Sequence, residues 1–181
     1  MQHENFHYNG TLIDLSHLSQ TSADFNWTSP IGKQTYRAWL RYSNHCYSRE
    51  LDEGEAQSED AYVVETAPKL RIYCADRYGH TERLVGMMGA LFEKPTSKVS
   101  LTHDRNWTTF QLYLPPQGGE QHRYCAFFRV KNSAEQPEDP TLHFLDMHVE
   151  SAYVRTNMVQ TVRSCPFGMV AHMTKHQIPY F

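Results

Sequence analysis

The sequence predicts an α+β fold, in which an antiparallel β-meander sheet packs on one main α-helix and an irregular N-terminal arm precedes them. Most patterned segments alternate apolar and polar residues with a period of two, which is typical of half-buried strands, whereas one segment has the apolar spacing of a helix. The 181 residues are 40% hydrophobic and 13% aromatic, enough to form one core. We therefore expect a single domain over 1–181, with an arm at 1–33, a core at 34–160 and a tail at 161–181.

The arm is expected to be irregular because no period is sustained in it and turn dipeptides such as Asn9-Gly10 and Ser29-Pro30 interrupt it. Its one ordered island is Thr11–Leu18, which could form a short strand or a single helical turn. The core begins at Thr35–Ser43, where aromatic and aliphatic residues alternate with polar or charged residues. This alternation predicts a strand with one buried face.

A hairpin and the main helix follow. Pro68 cannot take part in a ladder of hydrogen bonds, so it separates two short strands, Ala61–Glu65 and Leu70–Cys74. Apolar residues then recur at spacings of three and four between Thr81 and Phe92, which predicts a helix with Thr81 as its N-cap.

Beyond Pro95 the patterned segments predict strands. They are Lys98–His103, Trp107–Leu114, Gln121–Asn132 and Thr141–Val154, and the turn residues Pro115–Gly119 connect the middle pair. Strands that follow one another through short connections usually pair, which is why a meander is expected. The tail from Cys165 to Phe181 is expected to include one short helix.

Composition and charge exclude several classes of protein. No apolar run approaches the 18 residues of a membrane span, and the first residues lack a secretion signal, so we expect a cytoplasmic protein without a membrane partner. The net charge is −3, but nine acidic residues without a base lie in Glu50–Asp60 and Glu135–Asp139, which leaves +6 on the remainder. That remainder could bind RNA or another anion, whereas the alternative is a near-neutral protein with solvated acidic loops.

Ionisable residues alternate along the predicted last strand. Asp146, His148 and Glu150 are expected on one of its faces, where they could act in acid–base chemistry or bind a metal. Alternatively, Arg123 or Arg129 of the preceding strand could form cross-strand ion pairs with the two carboxylates. The same alternation places Ser151 and Tyr153 on the opposite face.

Two further segments carry candidate catalytic residues. His45 lies at the predicted end of the first core strand and could titrate near neutrality, although it could equally form a buried, hydrogen-bonded pair with Cys46. Cys46 is a weaker candidate nucleophile, because adjacent residues of an extended chain point to opposite sides. The second segment, before the predicted helix, could bind a phosphate or could be solvated; its members are Arg71, Arg77, Tyr78, His80 and Arg83.

Metal and cofactor signals are weak. The four cysteines are widely spaced, which indicates reduced thiols. Cys165, His172 and His176 could bind zinc if the tail were helical, with a fourth ligand from elsewhere, such as His17 or Cys46. Because these ligand signals are weak, we expect no metal. No phosphate-binding or dinucleotide-binding glycine motif occurs, so we also expect no cofactor.

Three short motifs resemble, in the same order, those of a family of small bacterial proteins labelled stationary-phase growth adaptation proteins. They are Ile13-Asp-Leu-Ser-His-Leu18, Ser43-Asn-His-Cys-Tyr47 and Val149-Glu-Ser-Ala-Tyr153. The resemblance covers most of the chain and implies a role in the stress response, but the label carries no mechanism.

A more distant similarity is to the RelE, barnase and EndoU-like ribonucleases, which cleave RNA without a metal on small α+β domains. The resemblance implies that His45 is an acid or base, that Arg71 or Arg77 binds the scissile phosphate, and that Ser151 and Tyr153 complete the site. This chain is acidic and longer than such toxins.

The resulting hypothesis is a hydrolase: a metal-independent endoribonuclease of the kind that serves as the toxin of a bacterial toxin-antitoxin module. Its expected partners are RNA and an antitoxin or regulator protein. The alternatives are a non-enzymatic module that binds a protein and a domain stabilised by zinc. The sequence does not determine the oligomeric state.

Overall fold

A computed structural model describes residues 3–29, 32–52, 54–55, 61–113, 122–135, 138–139 and 141–180. Its strands are β1 (Phe6–Tyr8), β2 (Thr11–Ile13), β3 (Thr21–Ser29), β4 (Gly32–Tyr42), β5 (Ser48–Glu50), β6 (Val63–Glu65), β7 (Arg71–Tyr73), β8 (Lys98–Thr102), β9 (Trp107–Tyr113), β10 (His122–Asn132), β11 (Leu142–Arg155) and β12 (Thr161–Pro166). Its helices are α1 (Ala75–Tyr78), α2 (Thr81–Glu93) and α3 (Phe167–Lys175), and 3₁₀ turns cover Ser16–Leu18 and Asn44–Cys46. The predicted turn at Pro115–Gly119 and part of the acidic segment lie outside these residues.

The main sheet has seven strands in the order β12-β8-β9-β10-β11-β4-β3. Its neighbours are antiparallel except β4 and β11, which are parallel. Two smaller sheets contain β1-β2 and β5-β7-β6, the latter including the predicted hairpin. The predicted fold class, an antiparallel meander on one main helix, is therefore wrong: the protein is mostly β, with a mixed sheet and three helices in the described residues. A period of two identifies a strand but does not specify its partners, so the pairing of β4 with β11 could not be predicted.

The prediction of an irregular N-terminal arm is also wrong, because this segment contains three strands. The longest, β3, pairs with β4 along its whole length, from Thr21 opposite Leu40 to Ser29 opposite Gly32. Phe25 is the one fully buried apolar residue of this edge strand, and most other positions of the strand are exposed polar residues. Its apolar pattern is weak because only one face is covered and an edge strand tolerates polar residues.

Two helices, not one, cover the inner face of the main sheet. Helix α2 spans the predicted residues but starts at Thr81, so His80 occupies the N-cap. Helix α3 places the ring of Phe167 5.2 Å from Phe25, 5.7 Å from Phe92 and 6.3 Å from Phe128, measured between ring centroids. Aromatic rings of both helices and two strands thus share one core. No helix of the described residues has the length and apolar character needed to cross a membrane.

The opposite face of the sheet, which we call the outer face, carries mostly charged and aromatic side chains. The alternation predicted for β10 is confirmed, since Tyr124, Ala126, Phe128 and Val130 belong to the core. The other set lies outside the core cluster and belongs to the outer face, although Cys125 and Phe127 are also buried; it comprises Arg123, Cys125, Phe127, Arg129 and Lys131.

A β-bulge changes the alternation of β11. The pairing of β11 with β10 skips Glu150, which is the extra residue of the bulge. Before the bulge Val149 faces the core, and after it Ala152 does. Ser151 and Tyr153 therefore share the outer face with Glu150, and the prediction that they lie opposite it is wrong.

Candidate active site

The bulge brings two of the sequence motifs into contact. The backbone N–H of Ser43 donates to the Val149 carbonyl at 2.9 Å, and the Ser43 hydroxyl donates to the Glu150 carbonyl at 2.5 Å. These bonds hold the second 3₁₀ turn against the bulge. We call the contact between Ser43–Tyr47 and Val149–Tyr153 the motif junction.

The first motif supports the helices beside this junction. His17 Nε2 lies 2.7 Å from the hydroxyl oxygen of Thr81, and the Tyr78 hydroxyl donates to the Asp14 carbonyl at 3.2 Å. Leu15 and Leu18 are fully buried. The first motif thus packs against the end of α1 and the start of α2.

The two arginines predicted to bind a phosphate have different environments. Arg71 is only 8% exposed and donates from Nε to the Ser48 hydroxyl and from Nη2 to the Ser48 carbonyl, both at 3.0 Å. Arg77 is half-buried and donates from Nη1 to the carbonyls of His45 and Ser48, at 3.0 and 2.9 Å. Arg71 therefore fixes the start of β5, whereas Arg77 reaches the surface of the junction.

Arg77 and Tyr153 form one wall of a cavity. The guanidinium carbon of Arg77 lies 5.0 Å from the centroid of the Tyr153 ring, and both residues line a cavity of about 290 Å³ together with His80. A neighbouring cavity of about 640 Å³ is also lined by Tyr153, and by Ser151 and Arg155. The structure thus brings Arg77 and Tyr153 together, with Ser151 in the adjoining cavity.

Both histidines near the junction have a lowered pKa. Burial lowers the pKa of His45, and the positive charge of Arg71 lowers it further. His45 Nε2 lies 3.7 Å from Glu65 of the small sheet, which is longer than a hydrogen bond. Burial also lowers the pKa of His80, with a second contribution from Arg83. Each imidazole is therefore neutral near pH 7, but it is His80 that lines the cavity beside Arg77.

The environment of Cys46 does not favour a nucleophile. Its side chain is fully buried, and burial raises its pKa to about 12. Because the thiolate is the reactive form, a thiol that stays protonated at neutral pH is unreactive.

On the outer face, Asp146 and Glu150 form ion pairs with arginines, which was the alternative to a catalytic cluster with His148. Arg129 Nε lies 2.7 Å from Glu150 Oε1, which confirms one predicted cross-strand pair. Asp146 instead pairs with Arg41 of β4, at 2.9 Å. Together with His148 these residues line a cleft of about 430 Å³.

Neither candidate metal site is assembled in the described residues. Both carboxylate oxygens of Glu150 are engaged, since Oε2 accepts a hydrogen bond from Asn106 at 3.0 Å. Near α3, His143, His172 and His176 form a group that we call the histidine cluster, with ring centroids 6.3 and 4.5 Å apart. In the ranges that the structure describes, no three His, Cys, Asp or Glu side chains are arranged to hold a metal ion.

The sequence pattern does not single out two residues of the site. His80 belongs to the candidate phosphate-binding segment, but nothing in the sequence distinguishes it as a base from the other ten histidines. Arg155 follows Tyr153 by two residues, and its guanidinium carbon lies 5.9 Å from the Tyr153 ring centroid. The period of two could have placed it there, but the predicted strand ended one residue earlier.

A comparison with family models identifies the chain. The model of the YjaZ family matches residues 5–175, a range that contains all three motifs and the junction. No curated protein and no solved structure matches the sequence or the fold, so these comparisons add no similarity to ribonucleases. Because the family model covers nearly the whole chain, the protein belongs to the YjaZ family.

Proposed function

We propose that this protein is a metal-independent endoribonuclease whose reaction takes place in the cavity lined by Arg77, Tyr153 and His80. The observation that carries the proposal is the Arg77 guanidinium, which lies over the Tyr153 ring and lines the same cavity as a neutral histidine. A guanidinium offers a planar set of donors that matches phosphate oxygens. A neutral imidazole beside it can act as a general base.

The proposed reaction uses the ribose 2′-hydroxyl as the nucleophile. His80 removes its proton, the oxygen attacks the adjacent phosphorus, and the bond from phosphorus to the 5′-oxygen breaks. The 5′-oxygen takes a proton from water, and the hydroxide that remains takes the proton from His80, which restores the neutral imidazole. The products are a 2′,3′-cyclic phosphate and a 5′-hydroxyl. Arg77 stabilises the negative charge of the phosphorane. His45 is assigned a positioning role, because its carbonyl accepts a hydrogen bond from Arg77.

Expression in bacterial cells tests this proposal and the toxin role together. The wild-type protein should arrest growth and generate new RNA ends, whereas His80→Ala and Arg77→Lys should do neither. His7→Ala is the matched control, since His7 is exposed on β1, and it should behave as wild type. Full activity in both test variants would overturn the assignment. Activity lost in His45→Ala but kept in His80→Ala would contradict the choice of base.

A second candidate function is a non-enzymatic module that binds an antitoxin or a DNA-binding regulator. The observation that favours it is the exposure of Phe110 and Leu112 on β9, which are 52% and 57% exposed. Such side chains are typical of a surface that a protein partner covers. If wild type and all variants leave RNA intact, this reading replaces the ribonuclease, and serine at both positions should then abolish binding of the regulator.

A further inference from the structure

Two arginines face each other directly on the outer face, next to the proposed site. Arg123 of β10 is in register with Arg155 of β11. Neither forms an ion pair with a carboxylate in the part of the chain that the structure describes. Like charges directly opposite each other in an antiparallel pair destabilise a sheet. Within the described residues, the pair therefore carries positive charge that no carboxylate offsets.

The surroundings of this pair are suited to an anion that also carries flat rings. The Arg123 guanidinium carbon lies 5.7 Å from the ring centroid of Phe110, whose side chain is half exposed. Arg155 lines the larger cavity, which shares Tyr153 with the cavity of the proposed reaction. The charge of the pair also acts on Cys125, where both arginines oppose the rise in pKa that burial causes. Cationic groups and accessible rings thus alternate across the end of the sheet.

We infer that the Arg123–Arg155 pair binds a backbone phosphate of single-stranded RNA that flanks the cleaved bond, while a base stacks on Phe110. This inference rests on the proposed function and names its substrate as a single strand. Guanidinium groups bind phosphodiester oxygens, and aromatic rings stack unpaired bases with little sequence preference. In a duplex the bases stack on one another, so their faces are not open to the ring. An acidic peptide would match the charges but would make no use of the exposed ring.

Binding of a fully 2′-O-methylated single strand tests the inference without cleavage, because this strand lacks the nucleophile. Fluorescence anisotropy at several salt concentrations should show that Arg123→Gln and Arg155→Gln each weaken binding about tenfold. Because both arginines are assigned to one phosphate, the double variant should reduce the salt slope by about 0.7, the value for one phosphate contact with a single strand. Phe110→Ser should weaken binding without changing the slope.

The matched control is Arg163→Gln. Arg163 is in register with the core residue Leu101, so it lies on the other face of the sheet from the Arg123–Arg155 pair, and it donates to the Tyr180 carbonyl. It should bind as wild type. Both test variants should fold normally, because the cation–π contact that is lost and the repulsion that is relieved are of similar size. Thermal melting of each variant checks this.

Three results would overturn the inference: unchanged affinity in both single variants with an unchanged salt slope in the double variant, equal binding of a duplex, or displacement of the strand by equimolar inorganic phosphate. Failure of the proposed function gives a different pattern. If the wild type binds the methylated strand through Arg123 and Arg155 but leaves unmodified RNA intact, cleavage is rejected and the binding site is kept.

Discussion

Replacing Arg77 with Met should destabilise the fold as well as remove the proposed phosphate ligand. Arg77 Nη1 donates to the carbonyls of His45 and Ser48, and the guanidinium lies over Tyr153. Methionine keeps an unbranched apolar chain, so the packing of the side-chain stem is largely retained. The loss is then confined to the contacts of the charged group.

The magnitude follows from these contacts. Hydrogen bonds from charged donors contribute about 1.5–3 kcal/mol, and we take the lower end for this pair because one nitrogen makes both bonds at a half-buried position. The cation–π contact adds about 0.5 kcal/mol. We therefore expect a loss of about 2 kcal/mol in the free energy of unfolding. For a chain of this size that corresponds to a fall of about 4–8 °C in the melting temperature.

Thermal and urea unfolding, followed by circular dichroism, measure this loss. The control is Arg163→Met, which removes one exposed hydrogen bond to Tyr180 and should cost less than about 1 kcal/mol. An unchanged melting temperature for Arg77→Met, or a loss no larger than that of the control, would refute the reasoning. It would mean that Arg77 does not fix the turn that precedes β5.

Three further predictions concern stability and reactivity. Burial lowers the pKa of His143 and His172 of the histidine cluster, so the unfolded state binds more protons than the native state. The free energy of unfolding should therefore fall as the pH drops below about 6.5. Equal urea midpoints at pH 7.5 and pH 5 would contradict this. In Gly168→Ala the new methyl group would overlap the Trp27 indole, 2.9 Å from its Cγ, and should lower the free energy of unfolding by about 1–3 kcal/mol. In Gly86→Ala the methyl group meets no atom within 4 Å and should stabilise α2 by about 0.5–1 kcal/mol. A calorimetric melting temperature that is higher for Gly168→Ala than for Gly86→Ala would reject this packing. A thiol reagent at pH 8 should label the partly exposed Cys74 in the native protein and the buried Cys46 only after unfolding, and rapid native labelling of Cys46 would disprove its burial.

Local pattern was sufficient for the strands at the centre of the main sheet. In β4 and β10 the alternation assigned each side chain to the correct face, because both strands have one face on the core and one on the outer surface. The cross-strand pair of Arg129 with Glu150 is one of the pairings that the same alternation allowed. Helix α2 was also predicted, since its apolar stripe is long and regular.

Long-range contacts explain what could not be predicted. The bulge at Glu150 is held by Ser43, which is distant in sequence, so the alternation of β11 contains no sign of it. Consequently Ser151 and Tyr153 were placed on the wrong face. Arg71 and Arg77 look alike in the sequence, but tertiary packing buries Arg71 against Ser48 and leaves Arg77 at the cavity.

The central claim is that the cavity beside Arg77 cleaves RNA without a metal, and purified protein tests it most directly. Single-stranded RNA is incubated with the wild type and with His80→Ala in a chelating buffer, and the product ends are identified. The account predicts fragments with 2′,3′-cyclic phosphate and 5′-hydroxyl ends from the wild type, at least a hundredfold fewer from the variant, and none from a strand with 2′-deoxyribose throughout. Intact RNA with the wild type, or equal cleavage by the variant, would contradict it.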